Sequence, residues 1–415
     1  MTTPAPMTKA QLFLTFLKLG CMAFGGPAAH LVLFYQYFVQ QKAWLSKHEY
    51  AHLLALAQIL PGPTSSQVGI AIGYHLHGYR GALFAWLGFT LPSALLMCLT
   101  AFLGLRFSNT LNHQFFHVVQ LIVLAVVAWA FWQMMRSFCK TPIQYVLMIL
   151  SAIFVYVVNI SINQILVIIC AAFIGFIFYY FKNFQAALKP EPAQQNQKRI
   201  EPISSYPIKW SWLWLIGFFV PFIVLPLFSD SGHSLLWHSL ESFYRTASFV
   251  FGGGHIILPF LHQDFVSTGQ ISNQNFDLGY AITQLMPGPL FSFATYLGTL
   301  LPMTSSALVN AILATIAIFL PSFFLLFGLL PYWRRLMQYQ IIFSMLNSQC
   351  SCSGFTTLFA YSNESKICAA MVRLSFCDMR NCIITQQVSR LVEFNRQLWR
   401  VLCCAYMYRL RLNAE

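Results

Sequence analysis

The chain has 415 residues, 58% of them hydrophobic and only 8% charged, with a net charge of +13. Soluble domains carry about 25% charged residues, so an ordinary soluble enzyme is excluded and an all-α polytopic integral membrane protein is expected. The basic residues cluster between apolar stretches, which assigns the charge to membrane topology rather than to a nucleic-acid partner.

Residues 1–10 form a short polar leader. The apolar segment 11–38 contains Lys18 and runs past any cleavage point, so it is read as a retained segment and not a signal peptide. It is interrupted at Gly25-Gly26-Pro27. Glycine costs about 1 kcal/mol in a helix interior and proline about 3, so one helix should stop there and another start. Ser46 and Glu49 have capping-box spacing, which predicts a helix from Lys47. That helix meets Pro61-Gly62-Pro63 and must break again. A span is expected over 82–105 with Pro92 inside it, then three more over 115–135, 143–158 and 165–181. Composition then shifts: 182–209 holds four prolines, five basic and two acidic residues, an exposed linker. Spans resume over 210–228 and 307–333.

The second half repeats the first. Phe251-Gly252-Gly253-Gly254 mirrors Phe24-Gly25-Gly26 at an offset of 227 (251 − 24), and Gln284 before Pro287-Gly288-Pro289 mirrors Gln58 before Pro61-Gly62-Pro63 at 226 (284 − 58). Ser272 matches Ser46 at 226, and Leu320-Pro321-Ser322 matches Leu91-Pro92-Ser93 at 229. Ordered matches with so little drift describe two homologous repeats, a recognised transporter architecture. The boundaries are 8–181 for the first repeat, 182–209 for the linker and 210–340 for the second. The basic linker belongs in the cytoplasm, with the N-terminus. Five basic residues lie in 9–80 but only Arg245 in 210–333, which fits repeats inverted by the five spans between them.

The repeats carry candidate chemistry. Lys18 and Arg245 occupy equivalent positions six residues before each Gly-Gly break, and buried cations in a membrane are expensive. They are read as charge for an anion, with arginine able to bond two oxyanion oxygens. A helix starting after Gly25-Gly26 or Gly252-Gly253 would expose N–H groups and a positive dipole end to the same anion. Gln58, Gln284 and the two Pro-Gly-Pro segments complete the expected substrate site, with Thr64, Ser65, Ser66 and Ser292 ranked second. His30, His255 and Asp264 are the candidates for proton coupling, although each histidine would serve equally as a helix-packing group. His75-x-His77 is a weak metal pattern, and no metal or cofactor is assigned. No nucleotide-binding loop or catalytic constellation stands out, so neither an ATP-driven pump nor an enzyme is read here.

At these residues the chain resembles the chromate transporter (CHR) family. The resemblance rests on FLKLGCMAFGGPAAH (16–30), ALAQILPGPTSSQ (55–67), SFVFGGGHIILPFL (248–261) and ITQLMPGPLFSFATYLGT (282–299), and covers residues 8–340. It implies a bacterial inner-membrane exporter of chromate that draws on the proton motive force and confers chromate resistance, with sulfate as an analogue. The residues themselves reach only as far as an oxyanion and secondary transport. A sulfate or other anion transporter or channel on the same scaffold is the alternative, and a homo-oligomer is left open. After Gln340 the pattern collapses: seven of the eleven cysteines lie in the last 75 residues, and no apolar run of span length follows. The tail 341–415 is read as the product of a reading-frame shift, which would leave a non-functional bundle, against a divergent native tail.

Overall fold

The computed structural model describes residues 8–107, 145–146, 150, 211–230, 235–250, 254 and 257–333. The expected spans 115–135 and 165–181, most of 143–158, the linker, the tail, and Gly252, Gly253 and His255 lie outside the described residues.

Local chemistry sets the helix starts. Helix α1 (Lys9–Met22) begins at Thr8, whose hydroxyl accepts from Gln11 N while the Gln11 side chain accepts from Thr8 N. It ends before Gly25, whose φ of 91° is left-handed and open to glycine at little steric cost. Helix α2 (Gly26–Phe34) follows, and its last turns widen into a π-helical stretch over Tyr35–Gln41. Helix α3 (Lys47–Ile59) starts at the predicted Ser46–Glu49 capping box, with Glu49 N to Ser46 Oγ 3.1 Å and Ser46 N to Glu49 Oε2 2.8 Å. It stops at Pro61-Gly62-Pro63, and α4 (Thr64–Phe107) begins on the far side.

The 44 residues of α4 would reach about 66 Å as one rod, twice the hydrocarbon thickness of a bilayer. They do not form one rod. His77 (φ −142°) and Gly78 (φ 62°, ψ −152°) are non-helical. A methyl group on Gly73 would lie 2.7 Å from Ala85 Cβ, twelve positions along the chain, about 18 Å apart in a straight helix. The chain therefore reverses at His77-Gly78, between the broken segment and the expected span. Its second arm, from residue 79, contains the expected span 82–105.

The segment between the Pro-Gly-Pro break and this reversal also folds back on α3. His75 Nε2, near the end of the first arm, lies 3.6 Å from Glu49 Oε1 in the first turn of α3. Helix α3 and the first arm thus run antiparallel, each only thirteen residues long (47–59 and 64–76), with Pro61-Gly62-Pro63 at the tip of their hairpin.

The second copy contains α5 (Ser211–Asp230), α6 (Leu235–Phe249), α7 (Ile257–Phe265), α8 (Asn273–Leu285), α9 (Phe293–Leu300) and α10 (Ala307–Leu329). Ser272 caps α8 as Ser46 caps α3. Tyr296 Oη on α9 donates to Asn275 O on α8 at 3.0 Å, so these helices form the matching hairpin with Pro287-Gly288-Pro289 at its tip. The second arm of α4 and its mate α10 run antiparallel: Tyr79 meets Phe327 edge to face at 4.9 Å between centroids, and Trp86 meets Phe319 likewise at 5.6 Å.

Apolar burial and small residues hold this arrangement. Phe16, Phe34, Phe38 and Phe89 are fully buried and join α1, α2 and α4 through ring contacts of 5.1–6.2 Å. In contrast, Ile223 and Leu227 on α5 are each 67% exposed, the outward apolar face expected of a helix meeting lipid. Among the described residues, 64–104, 211–228 and 307–332 are long and apolar enough to cross a membrane, the first being the stretch that reverses at His77-Gly78. Helices α1 and α4 touch backbone to backbone: a methyl on Gly88 would lie 2.6 Å from Phe13 O, and one on Gly20 2.7 Å from Phe89 O. Gly88→Ala should therefore lower stability in detergent by about 1–3 kcal/mol, the usual cost of overpacking. Gly104→Ala, with nothing within 4 Å, should leave the thermal midpoint unchanged. Equal midpoints for the two variants would contradict the close crossing.

Candidate functional site

Two proline-flanked glycines define the centre of the described structure. Proline has no N–H, so Gly62 and Gly288 are the sole backbone donors within their Pro-Gly-Pro tips. Each donates to the opposite repeat: Gly62 N to Val250 O at 2.7 Å, and Gly288 N to Ala23 O at 2.8 Å. Ala23 and Val250 are mates at the 227 offset (250 − 23), each just past the last residue of its repeat's α1-type helix. Each hairpin tip is thus docked on the helix end that precedes the other repeat's glycine break.

The fit demands glycine. Gly62 has φ 118° and Gly288 φ 111°. A methyl on Gly62 would lie 2.6 Å from Ser322 Oγ, and one on Gly288 2.7 Å from Ser93 Oγ. Ser93 and Ser322 are themselves mates, each following the proline inside its long helix, and both are buried. These serines were missed as site residues, although the matched Leu-Pro-Ser triplets mark them in the sequence.

The two tips differ in polar content. Gln67, fully buried, donates through Nε2 to Pro61 O (2.6 Å) and to Ser322 Oγ (3.3 Å), while its Oε1 has no hydrogen-bond partner among the described residues. Its mate is Phe293 (67 + 226). His30 lies beside the other tip, with Nε2 2.9 Å from Ala23 O, the carbonyl that also receives Gly288. A carbonyl only accepts, so Nε2 carries the hydrogen, and Nδ1 is left as a buried acceptor without a described partner. His30 therefore holds the backbone just before the first break through Ala23 O. Gln67 lies six residues past Pro61, in the ALAQILPGPTSSQ segment, but nothing in its spacing signals that it turns back to the tip.

The other expected residues fall in different places. Gln58 is exposed, and Gln284 hydrogen-bonds Tyr280 one helical turn away. Gly25 is exposed and caps α2 with no side-chain hydrogen bond, and among the described residues nothing lies within 4 Å of a methyl built on Gly26. Among the described residues the α2 N-terminus is thus open. Ser65, Ser66 and Ser292 are buried, and Ser292 back-bonds to Pro289 O at 2.8 Å. His75 faces Glu49, and among the described residues no three His, Cys, Asp or Glu side chains gather as a metal-ligand set.

Lys18 and Arg245 are equivalent in sequence but not in surroundings. Lys18 is exposed and makes no ion pair among the described residues. Arg245 is held by two carboxylates: Nε lies 2.6 Å from Glu241 Oε1, and Nη2 lies 3.0 and 3.1 Å from the Asp264 oxygens. The counterparts of Glu241 and Asp264 in the first copy are Leu14 (241 − 227) and Tyr37 (264 − 227), so the triad belongs to the second copy alone. Glu241 was not among the expected site residues, although its i,i+4 spacing to Arg245 is a readable signal.

The family model described as chromate transporter matches residues 10–176 and 237–412. The second match runs past the composition break placed at 340. An uncharacterized transporter, MJ0718, of Methanocaldococcus jannaschii is 27% identical over 81% of this chain and 79% of its own length. The chromate transport protein of Pseudomonas aeruginosa is 26% identical over 77% of this chain and 72% of its own. That of Cupriavidus metallidurans is 25% identical over 80% and 77%. No solved structure matches. The chain belongs to the chromate transporter family.

Proposed function

We propose that, as a member of that family, the chain is a secondary transporter that carries chromate outward across a bacterial inner membrane and so confers chromate resistance. The observation that carries the reading is the reciprocal docking of the two glycine tips, because it builds one crossing point from both repeats. Transporter sites characteristically lie at such repeat interfaces, near the bilayer midplane, among broken helices. The antiparallel course of α4 and α10 supports inverted repeats, and hairpins too short to span support re-entry from opposite faces. Around the crossing, Ser93, Ser322 and Gln67 supply polar groups, and the uncapped α2 N-terminus supplies N–H groups suited to an oxyanion. The relatives named chromate transport proteins supply the substrate.

The test is uptake of labelled chromate by inverted membrane vesicles, with sulfate as competitor. Saturable uptake is expected, reduced about tenfold or more by Gln67→Ala or Ser322→Ala, the loss of a hydrogen bond to a charged group. Vesicles that show no saturable chromate or sulfate movement would overturn the proposal. Competition by sulfate equal to that by unlabelled chromate would assign a general tetrahedral-oxyanion carrier instead. The reading-frame shift near residue 340 is a separate proposal, against which the family match to residue 412 weighs. An encoding DNA with no apolar continuation in either other frame would remove it.

A further inference from the structure

We propose that three buried hydroxyls on α6, those of Ser239, Ser242 and Thr246, form one half of the oxyanion's path, a row that leads from the membrane face where α6 begins to the crossing of the two glycine tips. The proposal rests on the reading of the chain as an oxyanion transporter.

The three residues stand at i, i+3 and i+7, which the helical repeat puts on one face. Val250, four residues past Thr246, continues that face just beyond the helix end, and its carbonyl receives Gly62 N at 2.7 Å. The row therefore ends on one of the two bonds that build the crossing. From Ser239 to Val250 it rises about 16 Å, half of a hydrocarbon core of roughly 30 Å. Helix directions fix the face from which it starts. Helix α5 runs antiparallel to α10: a methyl on Gly328 would lie 2.6 Å from Leu215 Cδ2, and one on Gly217 3.2 Å from Phe324 Cε1. Helix α6 runs antiparallel to α5, with Phe228 stacked on Trp237 at 5.0 Å and Phe222 edge to face with Tyr244 at 5.5 Å. Since α10 opposes the second arm of α4, α6 enters from the face opposite the His77-Gly78 turn.

All three residues are fully buried, and none of their hydroxyls has a hydrogen-bond partner among the described residues. A helical hydroxyl ordinarily bonds the carbonyl four residues earlier. Ser248, Thr283, Thr299 and Thr315 do so here, at 2.6–2.8 Å. Ser239, Ser242 and Thr246 forgo that bond, and a buried polar group left unpaired lowers stability. Among the described residues, α6 alone sets three such hydroxyls on one face. Their mates at the 227 offset are Leu12, Thr15 and Leu19, of which the leucines are buried and Thr15 is partly exposed. Apolar side chains thus fill the first and last of these positions in the first copy. Small residues also serve close helix packing, but alanine does so without an unpaired hydroxyl.

The chemistry of the row suits a moving oxyanion. Each hydroxyl offers one O–H donor and carries no charge. Successive hydroxyls are about 4–6 Å apart along the helix axis, so an ion leaving one meets the next. A tetrahedral oxyanion sheds water as it leaves the membrane surface, and the row returns donors in its place. Conduction needs binding that is favourable but weak and repeated, which neutral donors in series provide and a buried cation would hinder. The row is closed in this conformation, since its oxygens are buried, so α6 must part from its neighbours for the ion to pass.

The experiment uses the full chain, with labelled chromate uptake read in liposomes and thermal unfolding read in detergent. Ser239→Ala, Ser242→Ala and Thr246→Val should each lower kcat/KM about tenfold or more, the loss of a hydrogen bond to a charged group. Their thermal midpoints should stay level or rise, because each change removes a buried hydroxyl that has no partner. Thr246→Ser keeps the hydroxyl and should keep the uptake. Ser248→Ala, on the opposite face of α6 and bonded to Tyr244 O, should leave kcat/KM within about twofold of wild type. Wild-type uptake in all three hydroxyl-free variants would overturn the row while leaving oxyanion transport standing. So would a loss of uptake that comes with a lower midpoint, or an equal loss in Thr246→Ser, since either makes these residues structural. Absence of saturable uptake by the wild type would overturn the transport reading and the row with it.

Discussion

Alanine at Gly62 or Gly288 should uncouple the two repeats, and the second change should be the more damaging. Three costs act together. Both glycines hold positive φ, where a Cβ costs about 1–2 kcal/mol. The added methyl overpacks a closed contact, which costs about 1–3 kcal/mol. The tip's hydrogen bond to Val250 or Ala23 is worth about 1 kcal/mol more. The neighbours decide the ranking. At Gly62 the methyl meets Ser322 Oγ at 2.6 Å and Gln67 Nε2 at 2.8 Å, both ends of side chains that can rotate away. At Gly288 it meets Ser93 Cβ at 2.8 Å as well as Ser93 Oγ, and that carbon is fixed to its helix. We expect a loss of about 3–5 kcal/mol for Gly288→Ala and somewhat less for Gly62→Ala, with chromate uptake abolished in both. Thermal unfolding in detergent and vesicle uptake read the two effects. Near-wild-type stability in both variants would remove the tip docking as an organising contact.

Arg245→Ala should be the other severe substitution. It strands two carboxylates that are only 12% and 17% exposed, and breaking a buried pair in this way costs about 3–5 kcal/mol. The partial exposure of Arg245 itself places the expected loss near the lower end of that range, about 3 kcal/mol. The deficit should shrink on acidification, because protonation removes the stranded charges. Adding Asp264→Asn and Glu241→Gln to Arg245→Ala should recover most of the stability at neutral pH without recovering transport. Arg245→Lys keeps the charge but not the fork that reaches both acids, so its stability should fall between. An Arg245→Ala protein as stable at neutral as at acid pH would show that the carboxylates are not held by this guanidinium. Lys18→Ala is the internal control, since Lys18 is exposed and outside any described ion pair, and it should leave stability within about 0.5 kcal/mol.

The comparison of these two positions shows where sequence reasoning reached its end. Lys18 and Arg245 share the same offset and the same distance before a glycine break, and the charges nearby separate them only at i−4, where Glu241 precedes Arg245 and Leu14 precedes Lys18. Only folding brings Asp264, nineteen residues further on, against Arg245, and puts nothing comparable against Lys18 among the described residues. His30 is a similar case, where proximity to the break was legible but the bond to Ala23 O was not.

What the sequence determined by itself is the membrane class, the duplication, the capped starts at Ser46 and Ser272, and the stops at the glycine and Pro-Gly-Pro breaks. These follow from covalent geometry and near neighbours: a missing N–H, a permitted positive φ, a hydroxyl three residues from the amide it caps. Tertiary structure alone decided that the chain reverses at His77-Gly78, that the hairpins fold back on themselves, that each tip bonds the opposite repeat, and that Arg245 is shared by two acids. Those contacts join groups far apart in the chain, and Gly62 with Val250 is the plainest example. Nothing in the residues beside Gly62 names Val250, because that bond exists only once both repeats have packed.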